Sequence, residues 1–385
     1  MDKELIIRSN ADAVDFALLK EGRLIELQSE KSGGADFCVG DIFLAKVKKS
    51  LAGLNAAFVD VGYEKDGFLH YQDLGPQIKS IINYVKLVNS KKITNFSYLK
   101  EEKFEKDIDK HGKITDVLHP NQSVLVQVVK EPISTKGPRL SSEISLAGRY
   151  IVLVPFADRI SVSQRIESKE EKSRLKRLVK SIKPKGFSII IRTVAEGKKV
   201  AEIDQDLHNL MQRWETMCKK IPKAKQPYKV LGEVNKASSI LRDIFNDTFT
   251  SVKVDDNKLC GDVRDYIGEI SPDKASIVQY YQNRLPIFEE FGIERQIKTS
   301  FGRSVTMKKG AYLIIEHTEA MHVIDVNSGN RSNKAKTQQD TALEVNLISA
   351  EEIARQLRLR DMGGIIVVDF IDMQNSEHRK KLIEV

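Results

Sequence analysis

Two aspartates interrupt apolar runs: Asp325 in HVIDVNSGNRSNK (322–334) and Asp369 in GGIIVVDFIDM (363–373). Neither run contains a lysine or arginine beside its aspartate, so both carboxylates are expected on strands that face a packed interior. A charge in such a place needs a partner. The partner that chemistry favours is a hard divalent cation, which takes oxygen ligands, keeps several waters and polarises phosphates. Asp325 and Asn327 are two apart, so on a strand they share one face and present a carboxylate beside an amide. The competing reading is a strand that ends in an Asx turn, since Ser328, Gly329 and Asn330 follow. Asp369 is harder to read as a turn residue, whereas Asp372 and Glu377 downstream read as solvated acids. Two carboxylates on one magnesium ion would acidify a bound water and screen a phosphodiester, with Asn327 supplying a supporting hydrogen bond.

Other residues could bind rather than react. Phe58 in AAFVDVG and Phe68 in DGFLH lie in strand-like segments rich in small residues, where rings can either fill a core or stack unpaired bases. Lys46, Lys48 and Lys49 are close in sequence and would meet phosphates, or form a solvated charge run. Arg192 and Thr193 close the apolar stretch SIIIRTVAEG, where a guanidinium and a hydroxyl can grip a terminal phosphate or simply end a strand in solvent. The basic segment RLKRLVK (174–180) is equally a phosphate track or a solvated helix face. His317 and His322 lack the spacing of a helical ligand pair and are read as structural.

The elements that position these residues follow from periodicity. Residues 4–28 alternate around Glu21 and Gly22 as a hairpin, and the glycine-punctuated runs from Gly40 to about 132 read as a small β-barrel. Between them 86–113, dense in lysine and glutamate, reads as an inserted solvated loop or frayed helix. Residues 148–167 read as two strands. Ser168 and Glu171 have capping-box spacing ahead of a helix stopped by Pro184 and Gly186, and FSIIIRTVA follows as a strand. The prolines and lysines of 218–229 mark a linker, with a boundary near 220. Beyond it come a short helix at SSILRDIFN, a strand at VKVDD and a helix at SIVQYYQNRLPIF (276–288). YLIIEHT and MHVIDVN form a hairpin around Glu319 and Ala320. A long helix then presents Leu343, Leu347, Ala350, Ala354 and Leu357 as its apolar face and returns the chain, through Gly363 and Gly364, to the strand carrying Asp369.

At 385 residues the chain calls for two to four compact units. Its 41% hydrophobic and 30% charged composition fits a globular protein, and no apolar stretch approaches the roughly 20 residues that span a bilayer. The polar start MDKELIIRSN carries no signal-peptide pattern, so a cytoplasmic protein is expected. An excess of 62 basic over 54 acidic residues favours a polyanionic partner. Cys38, Cys218 and Cys260 are far apart in sequence, which supports neither a disulfide framework nor a cysteine zinc site.

Together these motifs are familiar. GAYLIIEHTEAMHVIDVNSGNRS followed by RDMGGIIVVDFIDM resembles the catalytic signature of the ribonuclease E/G family. AAFVDVGYEKDGFLH resembles its S1 domain, and SEISLAGRYIVLVP with IRTVAEG resembles its 5′-sensor region, so the likeness covers nearly the whole chain. The resemblance implies an α+β multidomain protein. Residues 1–37 and 225–300 would form a ribonuclease H-like subdomain without catalytic acids of its own. An S1 (OB-type β-barrel) domain would span 38–140 with its 86–113 insertion, a 5′-sensor region 141–224, and an incomplete DNase I-like catalytic subdomain 301–385. It implies a magnesium-dependent endoribonuclease, with manganese as a possible substitute, that cuts single-stranded, often A/U-rich RNA to 5′-phosphate and 3′-hydroxyl ends. Messenger, ribosomal and transfer RNA precursors would be its partners, with no membrane involved.

By the same resemblance Asp325 and Asp369 are the metal ligands and Asn327 their hydrogen-bonding neighbour. Phe58, Phe68, Lys130 and Lys136 contact RNA, and Gly148, Val152, Arg192 and Thr193 recognise a 5′-monophosphate. The family's zinc-link cysteines have no counterpart here and the sequence ends at Val385, so a truncated chain without the zinc-linked oligomer is expected. A non-catalytic RNA-binding module and a DNA-cutting nuclease are the rival readings.

Overall fold

The computed structural model describes residues 2–31, 37–93, 95–96, 99, 104–133, 136–232, 236–246, 248–307, 310–329 and 338–385. The chain divides into two compact units, Met1–Gly33 with Phe245–Val385, and Gly34–Ile244.

The first unit contains two sheets. In one, the strand order is Val278–Tyr280, Phe249–Val254, Lys3–Ser9, Ala13–Lys20, Arg23–Lys31. The first three run parallel and the last three antiparallel. The expected hairpin turns at Glu21 and Gly22, whose φ values of 51° and 74° are the left-handed pair that matches strand twist. Leu5, Ile6 and Ile7 are all buried, as consecutive residues of a central strand covered on both faces must be. One expectation fails in this sheet. The helix read over 276–288 is instead the edge strand Val278–Tyr280, followed by a short helical turn at Ile287–Glu290. The three-residue pairing of Val278 to Tyr280 with Val252 to Val254 outweighs helical periodicity in this aromatic, β-prone stretch. The helix Asn257–Ile270, started by Asp256 accepting the Leu259 amide at 2.7 Å, had not been expected.

The other sheet has the order Ser304–Thr306, Tyr312–His317, Met321–Asn327, Ile365–Asp369. The expected hairpin pairs Tyr312–His317 antiparallel with Met321–Asn327. The expected long helix, Gln338–Leu359, crosses over to bring Ile365–Asp369 in parallel to Met321–Asn327. The helix's buried face is not the one read from the sequence. Ala342, Val345, Asn346, Ser349, Glu352, Ile353, Gln356 and Leu359 are buried, whereas Ala354 is exposed and Leu343, Leu347, Ala350 and Leu357 are half-buried. The stripe was misplaced because half of the buried residues are polar and satisfied internally. Asn346 holds the backbone of Ile371, and Glu352 receives Arg355, Gln356 and Arg23.

The second unit is the expected barrel fused to a smaller sheet. Strands Ile42–Leu51, Ala56–Asp60, Gly67–His70, Arg139–Ser141 and Ser123–Lys130 pair in that order, and the last closes on the first. Val47, Val59, Leu69, Val124, Val126 and Leu140 fill the interior. The smaller sheet runs Ile160–Val162, Phe187–Ile191, Ile151–Pro155, Leu146–Ala147. Two helices accompany it, Lys169–Ile182 and Val200–Lys220. Ser168 caps the first through the Glu171 amide at 3.1 Å, while the Glu171 carboxylate turns instead to Arg174 and the Gly197 amide, which hold its pKa at about 2.

A single core cluster around Trp214 joins barrel and smaller sheet, and two expected loose segments belong to it. Within 86–113, residues up to Asn89 complete the helix Ile78–Asn89, Phe96 and Leu99 are buried, and Trp214 donates to the Phe96 carbonyl at 2.9 Å. Val88, Phe96 and Leu99 thus anchor the insertion to the core, while most of its other described residues are exposed as its lysine and glutamate content predicts. The segment 218–229 is anchored at both ends, since Cys218 and Ile221 are buried and Tyr228–Leu231 pairs with Ile42–Leu51, while the lysines and prolines between are mostly exposed. Lysine and proline content suggested a linker there, but the apolar residues between them decide. Among the described residues no helix is long and apolar enough to cross a membrane.

Candidate functional sites

Asp325 and Asp369 are register partners on neighbouring parallel strands, so their Cα atoms sit side by side about 4.8 Å apart and their side chains leave the same face of the sheet. Both lie toward the C-terminal ends of their strands, the rim at which open α/β sheets bind ligands. Asn327, two residues on from Asp325, donates its Nδ2 to the Asp325 Oδ2 at 2.8 Å. The expectation that the two carboxylates face a packed interior is wrong. The core side of these strands is carried by Ile324 and Val326 with Ile366 and Val368, while Asp325 and Asn327 are half-buried and Asp369 is exposed on the opposite side. Ile365 and Val367 on that side are exposed as well, so strings of apolar residues did not mark which face was buried.

The donor set fits magnesium. Two adjacent carboxylates and an amide are all oxygen donors, and this cation is held by one or two carboxylates while waters and substrate phosphates complete its octahedron. Among the described residues no group of three or more His, Cys, Asp or Glu gathers as a metal cage. His317 and His322 face each other across the hairpin with their Nδ1 atoms 2.6 Å apart, satisfying one another. Asn330 to Lys334, the tail of the first acidic motif, lie outside the described residues.

Asp369 is steadied from the helix. Asn346, fully buried, donates to the Ile371 carbonyl at 2.8 Å and accepts the Ile371 amide at 3.0 Å, fixing the chain two residues beyond the aspartate. The sequence reading missed this residue. An asparagine among leucines and isoleucines at helical spacing was the available signal.

On the barrel, register produces a row that sequence spacing alone could not reveal. Lys49 pairs with Phe58, Phe58 with Phe68, Phe68 with Arg139, and Arg139 with Lys130, across five consecutive strands. The Phe58 and Phe68 rings are half-buried, 5.8 Å apart and edge to face. His70 continues the aromatic surface at 6.4 Å from Phe68, and the Lys49 ammonium stands 4.9 Å over Phe58. Lys130 and Lys136 are exposed, and Lys136 forms an isolated antiparallel bridge with Ile133. Lys48 is bulged out of the row and engages Asp60 and Asp66. Arg139 and His70 are additions the sequence did not offer, since a row across strands depends on register.

Gly148 and Arg192 are joined at one end of the smaller sheet, with Thr193 next in the chain to Arg192 and Val152 on an interior strand. Arg192 donates from Nη1 to the Gly148 carbonyl at 2.8 Å and from Nη2 to Asp243 Oδ1 at 2.6 Å, and Thr193 Oγ1 lies 2.9 Å from Ser163 Oγ. Val152 pairs with Ile190 in the strand beneath. The turn is shaped by Asp206, whose carboxylate accepts the amides of Arg149, Tyr150 and Ile151 at 3.1, 2.8 and 3.1 Å. Burial pushes the Asp206 pKa up, and these three amides and Arg192 oppose that rise. A side chain at Gly148 would put its Cβ 2.6 Å from both Asp206 oxygens, which is why glycine stands there.

The chain thus combines paired carboxylates at a sheet rim, groups suited to a cation, with a closed five-stranded barrel whose outer row of aromatic and cationic side chains suits unpaired bases and phosphates. The Ribonuclease E/G family profile matches residues 145–385. Ribonuclease G of Haemophilus influenzae is 35% identical over 382 residues, covering 99% of this chain and 73% of its own length. Ribonuclease G of Escherichia coli is 34% identical over 383 residues, covering 100% of this chain and 74% of its own. Ribonuclease E of a Nostoc species is 37% identical over 350 residues, 90% of this chain and 47% of that protein. The chain belongs to the ribonuclease E/G family, a family of endoribonucleases. Its barrel is consistent with the S1 domain of that family.

Proposed function

We propose that this chain is a magnesium-dependent endoribonuclease that cleaves single-stranded RNA internally, leaving 5′-phosphate and 3′-hydroxyl ends, in the decay of messenger RNA and the processing of stable RNA precursors. The observation that carries the reading is the in-register pairing of Asp325 with Asp369 on parallel strands, with Asn327 bonded to Asp325. Asp325 and Asp369 would hold the cation, with manganese as a substitute. When bound, it neutralises charge on a phosphodiester and acidifies water. Asn327 keeps one Asp325 oxygen oriented, and the open face of the sheet admits a strand of RNA without requiring the protein to unfold. On the barrel, Phe58 and Phe68 would stack unpaired bases while Lys130 and Lys136, with Lys49 and Arg139 in the same region, meet phosphates. Arg192, Thr193, Gly148 and Val152 would receive a 5′-monophosphate, the guanidinium supplying charge and the turn supplying shape.

In domain terms we read the mixed five-stranded sheet as ribonuclease H-like, formed by the N-terminal strands and the part of 225–300 that follows Ile244, since Tyr228–Leu231 pairs with the barrel instead. The barrel is the S1 domain, the smaller sheet the 5′-sensor region, and 301–385 a DNase I-like portion. The test is Asp325→Asn. Cleavage of a 5′-monophosphorylated single-stranded RNA in magnesium should be lost while binding of the same RNA stays within about twofold of the parent. Equal cutting by both proteins would remove Asp325 from the chemistry. Binding without cutting by the parent would favour a non-catalytic RNA-binding module, and equal cutting of matched DNA would favour a general nuclease.

A further inference from the structure

We propose that Asp243 sets how strongly a 5′-phosphate is distinguished from other RNA ends, by holding Arg192 until a phosphate displaces it; the inference rests on the reading of the Arg192 pocket as the 5′-phosphate site. Arg192 reaches Asp243 from the end of strand Phe187–Ile191, and Asp243 arrives on the helix Lys236–Ile244, so the contact is built by tertiary structure. The carboxylate receives Arg192 Nη2 at 2.6 Å and lies 3.5 Å from Arg242 Nε. Arg242 and Arg213 both donate to the carbonyl of Ala147, next to Gly148, at 3.3 and 3.4 Å. One carboxylate thus stands where guanidinium groups and the pocket turn converge, the position a phosphate oxygen would take.

The placement has no rationale within the helix. Asp243 is one residue from the C-terminal end of Lys236–Ile244, where the helix dipole disfavours an acid. Its ion pair with Arg192 is what accounts for it. That pair is partly exposed, 27% for Arg192 and 48% for Asp243, so water and salt weaken it and a dianionic group can compete. A guanidinium has five N–H donors in a fixed fork. The one on the Gly148 carbonyl stays in place while those on the Asp243 side pass to a phosphate, which offers more charge and more acceptors than a carboxylate. An RNA ending in a 5′-hydroxyl offers no anion to displace Asp243 and leaves the pair intact.

Asp243→Asn keeps an oxygen that can accept from Arg192 and removes the competing charge, and the exposed helix end tolerates it. In an Asp325→Asn background that prevents cleavage, the dissociation constant for a 3′-labelled single-stranded RNA with a 5′-monophosphate should fall about five- to tenfold on Asp243→Asn, by fluorescence anisotropy. The 5′-hydroxyl form of the same oligonucleotide should change by less than about twofold. Equal tightening for both ends would mean a general gain of charge and overturn the proposal, and weaker monophosphate binding would make Asp243 a support for Arg192, which also overturns it. If the parent prefers the monophosphate and the variant shows no gain, Asp243 has no role while the pocket reading stands. If neither protein prefers it and Arg192→Ala is without effect, the pocket reading itself falls and the proposal with it.

Discussion

Replacing Asn346 by alanine tests whether the proposed acidic pair is held from behind, by the helix Gln338–Leu359. Asn346 is fully buried and makes two hydrogen bonds to the backbone of Ile371, one donated at 2.8 Å and one accepted at 3.0 Å. Removing the side chain leaves an amide and a carbonyl that must find water or stay unpaired, at about 1–3 kcal/mol for a group that stays dry. Ile371 is half-buried, so water can reach part of it, and the expected loss is about 2–4 kcal/mol, or roughly 30- to 1,000-fold in the local opening equilibrium. Ile371 follows Asp369 by two residues, about 6.6 Å along an extended chain, so slackness at one reaches the other. A carboxylate misplaced by about 1 Å costs on the order of a hundredfold in rate.

The assay has two readouts. Amide hydrogen exchange should show lost protection confined to the segment around 365–373, and cleavage of single-stranded RNA should fall with it. Asp325→Asn provides the contrast, losing cleavage with exchange protection unchanged. Asn346→Asp keeps the acceptor for the Ile371 amide but turns a carboxylate toward the Ile371 carbonyl, so it should be no better than alanine. If Asn346→Ala retains both parental protection and parental cleavage, the view that this helix positions Asp369 is refuted.

Three further outcomes follow from the second unit. Phe58→Ala or Phe68→Ala should weaken single-stranded RNA binding by about 1–3 kcal/mol for each base that loses its platform, while Lys130→Ala should lower the salt dependence of log K by about 0.7, both measurable by anisotropy titration. Unchanged affinity in both phenylalanine variants would return these rings to a packing role. Gly148→Ala should force Asp206 away from the three amides it accepts, lowering the melting temperature by an amount equivalent to about 1–3 kcal/mol and abolishing any preference for a 5′-phosphate. An alanine variant that melts with the parent would show that the turn relaxes freely.

What could be read from the sequence was governed by how local each signal is. The hairpin at Glu21–Gly22, the Ser168 cap and the crossover that returns Asp369 to the strand of Asp325 all rest on turn chemistry and periodicity within a few residues, and they are present. Which face of the strand is buried was not legible in IIVVD, where Ile365 and Val367 on one side mirror Ile366 and Val368 on the other; in HVIDVN the alternation of Ile324 and Val326 with Asp325 and Asn327 did mark the open face and was outweighed by the apolar run as a whole. The long helix misled for the opposite reason: Asn346, Ser349, Glu352 and Gln356 are buried polar residues that find partners only in the folded chain. The segment 218–229 has linker composition, yet Cys218 and Ile221 enter the core around Trp214. The Lys49, Phe58, Phe68, Arg139, Lys130 row and the Arg192–Asp243 pair are tertiary facts, set by register and by a helix contributed from elsewhere in the sequence.

The placement of the acidic pair also explains why a charged site can exist on strands so rich in valine and isoleucine. Paired on the core face, two carboxylates would have to be neutralised or stripped of water at a cost of several kcal/mol each. On the open face they keep their hydration, and the sheet pays only for holding two like charges at adjacent register positions, which solvent screens. The Ile324, Val326, Ile366 and Val368 side carries the packing against the helix, so rigidity comes from one face while the other is left to present the carboxylates. Asn346 ties these roles together, since the residue that completes the helix–strand contact on the core side also fixes the end of the strand that presents Asp369.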